Sequence, residues 1–128
     1  MLLLDTCTLL WLVLDQDKLS ARAKEAIQKN RASLFVSGIS GFEVALLVKK
    51  GQLQLPISPN LWMQNCLRLH GLGEIPISIE VASQSVFLKE IHKDPADRFI
   101  IATAIANKLS ILTPDKKIAE YSHVKVIW

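Results

Sequence analysis

The chain has 128 residues, of which half are hydrophobic, and 15 Lys and Arg against 12 Asp and Glu give it a formal net charge of +3. This length predicts a single domain over residues 1–128, with room for one sheet and its covering helices. Two cysteines exclude a disulfide framework, no apolar run is long enough for a membrane span, and Asp5 stands where a secretory signal would be basic. We therefore expect a soluble, cytoplasmic protein.

Short apolar runs alternate with helical stretches along the chain, which is typical of parallel strands in βαβ units. Strands are predicted near residues 1–5, 33–37, 74–78, 110–113 and 124–127. Helices are predicted near residues 6–14, 20–30, 40–50, 59–70, 79–91, 96–108 and 115–121, with stops at Gly51 and at the pair Gly71 and Gly73. The pattern predicts an α/β fold with a parallel sheet.

Four acidic residues stand at predicted junctions between a strand or loop and a helix: Asp5, Glu43, Asp97 and Asp115. The carboxyl ends of parallel strands share one edge of the sheet, and ligands of such sheets bind beyond that edge. All four carboxylates should therefore face one crevice, where they repel one another unless a cation lies between them. The arrangement predicts a divalent-metal site and, with it, hydrolysis of a phosphodiester.

Helix capping is the alternative interpretation of these acids. Ser40 and Glu43 have the spacing of a capping box, and on that spacing alone a cap and a catalytic role are equally supported. Asp115 precedes a short predicted helix and has the same ambiguity. Asp5 differs, because no capping box follows it and a carboxylate at a buried strand end needs a charge partner or a metal.

The segment before the long apolar helix contains two aspartates. Asp94 precedes Pro95 and is a natural N-cap, which makes Asp97 a first-turn acid that the helix dipole favours. Arg98 could pair with an acid or with a phosphate. His92 is more simply a surface helix end than a proton-transfer group. No Gly-rich phosphate loop is present, so the sequence gives no support to nucleoside-triphosphate chemistry.

In its motifs the sequence resembles the PIN domain, and specifically the VapC-like toxin ribonucleases of bacterial toxin–antitoxin systems. The resemblance runs through the whole chain and is carried by LLDT at 3–6, VSGISGFE at 36–43, KGQL at 50–53, HKDPADRFIIATA at 92–104 and ILTPD at 111–115. Each motif alone is weak, but their order and spacing are specific.

The resemblance implies a PIN-like fold, in which a five-stranded parallel sheet is sandwiched between α-helices, and a site that binds Mg²⁺ or Mn²⁺. Carried over residue by residue, it implies that Asp5, Glu43, Asp97 and Asp115 are the metal-binding and catalytic acids. Thr6 and Thr113 match hydroxyl residues that line such sites. Asp94 lies in the same loop as the third acid, and spacing leaves open which aspartate is the ligand.

The implied function is a metal-dependent endoribonuclease that acts as a toxin, with RNA as its substrate, a cognate antitoxin covering its site, and a homodimeric assembly. A haloacid dehalogenase-like phosphatase is the rival enzyme, but Cys7 stands where that group requires a second aspartate. A non-catalytic oligomerising or regulatory module is the other alternative. It would make the acids caps and predicts no dependence on divalent ions.

Overall fold

The computed structural model describes all 128 residues, Met1–Trp128. In chain order its strands and α-helices are β1 (Leu2–Leu4), α1 (Thr6–Leu14), α2 (Ala21–Lys29), β2 (Leu34–Ser37), α3 (Ile39–Lys49), α4 (Pro59–His70), β3 (Leu72–Ile75), α5 (Ile79–Val86), α6 (Pro95–Asn107), β4 (Ser110–Leu112), α7 (Lys116–Ala119) and β5 (Val126–Ile127). A 3₁₀ turn at Gln16–Lys18 separates α1 from α2. None of the helices combines the length and apolar character that crossing a bilayer requires.

The five strands form one sheet in the order β3-β2-β1-β4-β5, and every neighbouring pair is parallel. The chain moves outward from β1 to β3 and then returns to place β4 on the other side of β1. Strand order therefore reverses between β1 and β4, where Leu4 is in register with Leu112. In open parallel sheets this switch point is where ligands bind. The predicted α/β fold with a five-stranded parallel sheet is confirmed.

Alternate side chains of the central strand enter two different cores, as the two-residue period of a β-strand requires. Leu2 and Leu4 belong to a core that they share with buried residues of α1 to α4. Leu3 belongs to the opposite core, which contains Ile100, Ile101 and Ala104 of the apolar helix α6. Helices thus cover both faces of the sheet, and the first strand is held from each side.

The third strand begins earlier than the sequence predicts, at Leu72 rather than near residue 74, and it ends at Ile75. Gly71, with φ 63°, ends α4 in the left-handed conformation, as expected. Gly73 is not a helix stop but a strand residue opposite Phe35, and a Cβ there would lie 2.7 Å from Phe35 Cδ1. Pro76 follows the strand and has no N–H to continue the ladder.

Helix α5 ends at Val86, five residues before the predicted end at residue 91. Carbonyl groups at and after the end of this helix accept side-chain hydrogen bonds instead of helical ones. The carbonyl groups of Val86, Leu88, Lys89 and His92 all accept hydrogen bonds from Arg98. These contacts hold the irregular segment 87–94 on its path to the start of α6. The segment carries His92 to the carboxyl edge of the sheet.

Candidate metal centre

Asp5 closes β1 at the switch point and is only 4% exposed. Its Oδ1 accepts the backbone N–H of Thr8 at 2.8 Å, and its Oδ2 accepts the hydroxyl of Thr113, which follows β4. The carboxylate is therefore the N-cap of α1 as well as a group at the sheet edge. The absence of a capping box did not mean the absence of a cap, because a single aspartate oxygen suffices.

Glu43 does not form the capping box that its spacing suggested. Helix α3 begins at Ile39, so Ser40 lies inside the helix and its hydroxyl is 2.9 Å from Thr6 Oγ1. Ser37, at the end of β2, accepts the first helical amide instead. The Glu43 carboxylate accepts the Thr6 hydroxyl at 2.5 Å and thereby lies beside the end of the first strand.

The two aspartates of the 92–104 motif have different surroundings. Asp94 is exposed and caps α6, with its Oδ1 accepting the Ala96 amide at 3.0 Å. Asp97 lies in the first turn of the same helix, and its Oδ2 is 3.2 Å from His92 Nε2. Only Asp97 lines the cleft that contains the other predicted acids.

Asp115 uses both of its carboxylate oxygens. Oδ1 caps α7 by accepting the amides of Lys117 at 2.8 Å and Ile118 at 3.4 Å. Oδ2 lies 2.9 Å from His92 Nε2. The cap that the sequence suggested is therefore present, together with a side-chain contact at the sheet edge.

These residues meet in a cleft of about 340 Å³ at the end of β1 and β4, lined by Asp5, Thr6, Cys7, Glu43, Asp97, Pro114 and Asp115. The structure thus brings all four predicted acids together, with Thr6 among them. Thr113 is buried and contacts Asp5 without lining the cleft, and Asp94 is outside the lining residues.

Burial and mutual repulsion make the cleft unfavourable for several negative charges. Burial raises the pKa of Asp5, against the hydrogen bonds from Thr113 and Thr8, and burial likewise raises the pKa of Glu43. Burial and then the charge of Glu43 raise the pKa of Asp97 to about 7. Burial acts on Asp115 too, but the hydrogen bond from His92 holds its pKa below the ordinary value.

The donor set fits a hard divalent cation. Four carboxylates offer the oxygen ligands that Mg²⁺ and Mn²⁺ prefer, and a cation among them would offset the burial and the repulsion that raise three of their pKa values. Three potential donor atoms, from His92, Asp97 and Asp115, lie within 4.8 Å of one another.

Of two further residues, one differs from its expected role and one matches it in part. His92 is 9% exposed and contacts two of the acids, so the prediction of a surface helix end was wrong. Its position depends on the irregular 87–94 segment, which no sequence period describes. Arg98 is 8% exposed, donates to backbone carbonyls and lies 3.9 Å from the carboxylate of Glu90, so it pairs with an acid, as one of its two expected roles allowed, and is not open to a phosphate.

An acid-lined cleft at the switch point of a five-stranded parallel sheet defines an α/β protein with a candidate metal centre. The chain belongs to the PIN domain family, whose model matches residues 2–124. It is 33% identical to Ribonuclease VapC22 of Mycobacterium tuberculosis (strain ATCC 25618 / H37Rv), over 98% of this chain and 95% of the relative.

Solved structures of toxin–antitoxin complexes have the same fold. A toxin–antitoxin complex from Klebsiella pneumoniae matches with a TM-score of 0.65 and 25% identity, over 97% of this chain and 95% of the other. DNA-bound VapBC from Salmonella typhimurium matches with a TM-score of 0.71 and 15% identity, over 98% and 95% of the two chains. The second likeness concerns the fold alone.

Proposed function

We propose that the protein is a metal-dependent endoribonuclease, the toxin of a toxin–antitoxin pair, which cuts RNA in the cytoplasm and so inhibits translation and growth. One observation carries the proposal: four carboxylates from four different parts of the chain line one cleft at the switch point. A relative that is named a ribonuclease and aligns with nearly the whole chain supports RNA as the substrate class.

Asp5, Glu43, Asp97 and Asp115 would hold the divalent ion, Mg²⁺ or Mn²⁺. A bound ion of this kind lowers the pKa of water and offsets the charge that develops on a phosphodiester during displacement. The chain itself supplies a fixed set of ligands. Thr8 and Thr113 hold the two oxygens of Asp5, and Thr6 holds one oxygen of Glu43.

Water is the nucleophile that these surroundings favour. Cys7 is the one thiol lining the cleft, but burial and then the charge of Asp5 raise its pKa to about 11, so it is protonated at neutral pH. The hydroxyl of Thr6 is engaged by Glu43. No side chain of the cleft is thus an activated nucleophile, and hydrolysis requires none.

Replacing Asp5 by Asn tests the proposal with little change in volume. Purified protein, freed of any bound partner, should cut single-stranded and structured RNA in Mg²⁺ or Mn²⁺ and lose this activity in EDTA. Asp5→Asn should lose cleavage while its fold, followed by circular dichroism, persists. Thr103→Ser, at a buried position away from the cleft, is the control variant.

Cleavage that survives chelation, or an Asp5→Asn variant as active as the parent in saturating Mg²⁺, would contradict the metal mechanism. No cleavage of any RNA, together with a melting temperature that Mn²⁺ leaves unchanged, would instead favour a non-catalytic interaction module.

The proposal includes a cognate antitoxin and a homodimer. Similar solved structures are complexes of toxins with antitoxins, which supports an antitoxin partner here.

Ile79 and Val86, seven residues apart on α5, are 90% and 67% exposed, and the next residue, Phe87, is 88% exposed. Such side chains suit a protein interface. Light scattering should give the mass of two chains, and a monomer at micromolar concentration would contradict the dimer.

A further inference from the structure

His92 is fixed at four points although it lies in an irregular segment. Its backbone N–H donates to Tyr121 Oη at 2.9 Å, and its carbonyl accepts Arg98 Nη1 at 3.0 Å. The Tyr121 hydroxyl in turn donates to the Lys89 carbonyl at 2.7 Å. The two ring nitrogens of the imidazole are the other two points, and both have polar neighbours. The chain thus holds this ring rigidly against the acids of the cleft.

The neighbours of the ring indicate which nitrogen carries the proton. Nδ1 lies 3.3 Å from the backbone nitrogen of Asp94, which is a donor, so Nδ1 must accept and carries no proton. The proton of the neutral ring is then on Nε2. Nε2 forms a hydrogen bond with Asp115 Oδ2 at 2.9 Å and lies 3.2 Å from Asp97 Oδ2.

We propose that His92 is a positioning residue that donates its Nε2 proton between Asp97 and Asp115, and that it is not itself a ligand of the metal. This inference rests on the proposed metal centre, whose third and fourth acids it would hold. Each carboxylate has further lone pairs beyond the one facing His92, so the ring and a cation can be served by the same two groups.

The opposite role, a nitrogen ligand, is chemically reasonable because the three donor atoms lie within 4.8 Å of one another. A histidine that binds a metal through Nε2 must leave that nitrogen unprotonated and usually donates its other N–H to an acceptor. Nδ1 of His92 faces the amide of Asp94 instead of an acceptor. The surroundings of the ring thus favour the donor role over the ligand role.

Loss of this donor should separate the two carboxylates. Without Nε2–H, the Oδ2 atoms of Asp97 and Asp115 would face each other with no intervening positive dipole, and repulsion would turn the side chains to other rotamers. Removing a group that orients a metal ligand typically weakens metal affinity by about 10- to 100-fold.

Nitrogen-15 NMR of the full chain tests the tautomer directly, with the signals of His92 assigned by their loss in His92→Gln. In metal-free protein at neutral pH, Nε2 should be protonated and Nδ1 unprotonated, and this state should persist in saturating Mg²⁺. A proton on Nδ1, before or after Mg²⁺ is added, would overturn the inference. The metal-free measurement is independent of the proposed function.

Mn²⁺ binding to variants tests the consequence, with the free ion followed by electron paramagnetic resonance. His92→Phe keeps a ring without a donor and should bind Mn²⁺ about 10-fold or more weakly. His92→Gln keeps an N–H donor, so its Mn²⁺ affinity should be closer to that of the parent. His123→Gln, at an exposed position, is the control and should bind Mn²⁺ as tightly as the parent.

Parental affinity in folded His92→Phe, or nitrogen coupling to Mn²⁺ that disappears in His92→Gln, would overturn the positioning role. If His92→Phe fails to fold, the Gln variant and the tautomer still decide the question. A parent protein that binds no Mn²⁺ at all would count against the proposed metal centre, whereas the tautomer would still be measured.

Discussion

Two of the acids are both helix N-caps and members of the candidate site. Asp5 and Asp115 each accept backbone amides at the start of a helix, and each also lines the cleft. An N-cap aspartate at a strand–helix junction is placed by the same geometry that brings it to the carboxyl edge of a parallel sheet. A capping motif in the sequence is therefore no argument against a functional acid in this fold.

Asp94 and Asp97 can be separated by substituting each with Asn. Asp94 is an exposed cap, and asparagine caps about as well as aspartate, so Asp94→Asn should keep near-parental cleavage and stability. Asp97 lines the cleft, so Asp97→Asn should abolish Mg²⁺-dependent cleavage without lowering the melting temperature. An inactive Asp94→Asn beside an active Asp97→Asn would transfer the third metal acid to residue 94.

The raised pKa of Asp97 predicts how stability depends on pH in metal-free protein. The folded state holds a proton on Asp97 up to a pKa of about 7, whereas the unfolded chain releases it near the ordinary value of 3.8. Stability is therefore lost as pH rises from about 4 to about 7, because the folded state binds more protons in this window.

The Asp97→Asn variant has no titrating carboxyl group at position 97, so its stability should not depend on pH through this residue. Urea unfolding of both proteins without metal, at several pH values between about 4.5 and 7.5, should show the variant gaining stability relative to the parent as pH rises. A difference that stays constant across this range would show that Asp97 titrates normally and that the cleft tolerates its charge.

Arg98 shows how one side chain determines an irregular element. Its guanidinium donates to the carbonyl groups of four residues from Val86, the last residue of α5, to His92, which precedes α6. A planar guanidinium presents five N–H donors in a fixed fork, whereas an ammonium group has three on a flexible stem. The position of His92 at the cleft therefore depends on a residue of the following helix.

Arg98→Lys should destabilise the protein by about 2 kcal/mol, because one buried and three partly buried carbonyl groups lose donors. Arg31→Lys, at an exposed position, is the matched control. Urea unfolding measures both, and the Arg98 variant should also alter the NMR signals of His92. A variant within about 0.5 kcal/mol of the parent would show that the segment holds itself without the guanidinium.

Regular elements were predictable from the sequence to within a few residues, whereas the segments between them were not. Helix α6 is apolar almost all round and matches its prediction closely, Pro95–Asn107 against 96–108. The predicted stop at Gly73 was wrong because the glycine serves the packing of Phe35 on the neighbouring strand. That contact joins residues far apart in the chain, and no local pattern records it.

The same distinction holds for the site. Asp5, Glu43, Asp97 and Asp115 were placed from strand ends and helix starts, and the structure brings them into one cleft. His92 was not assigned to it, because its contacts arise from the bonds of Arg98 and Tyr121 to an irregular segment. Residues placed by regular elements were thus accessible to sequence reasoning, and the residue placed by tertiary hydrogen bonds was not.

At the scale of the whole molecule, the site results from the order of the strands. Because β4 returns to the side of β1 opposite β2, the ends of β1 and β4 are neighbours, and Thr113 reaches the carboxylate of Asp5 across them. Helices α3 and α6 add Glu43 and Asp97 from opposite faces of the sheet. No single element contains the site, so a truncated chain should not retain it.

In the mechanism that we propose, water activated in an acid-bound metal centre cuts RNA. The most direct test is cleavage of a defined RNA in ¹⁸O-labelled water under single-turnover conditions, with the product ends identified by mass spectrometry. We predict one solvent oxygen in the terminal phosphate that is formed, no 2′,3′-cyclic phosphate, and no products in EDTA or with Asp5→Asn. Cyclic phosphate ends without the label, or labelled products that persist in EDTA, would rule out this mechanism.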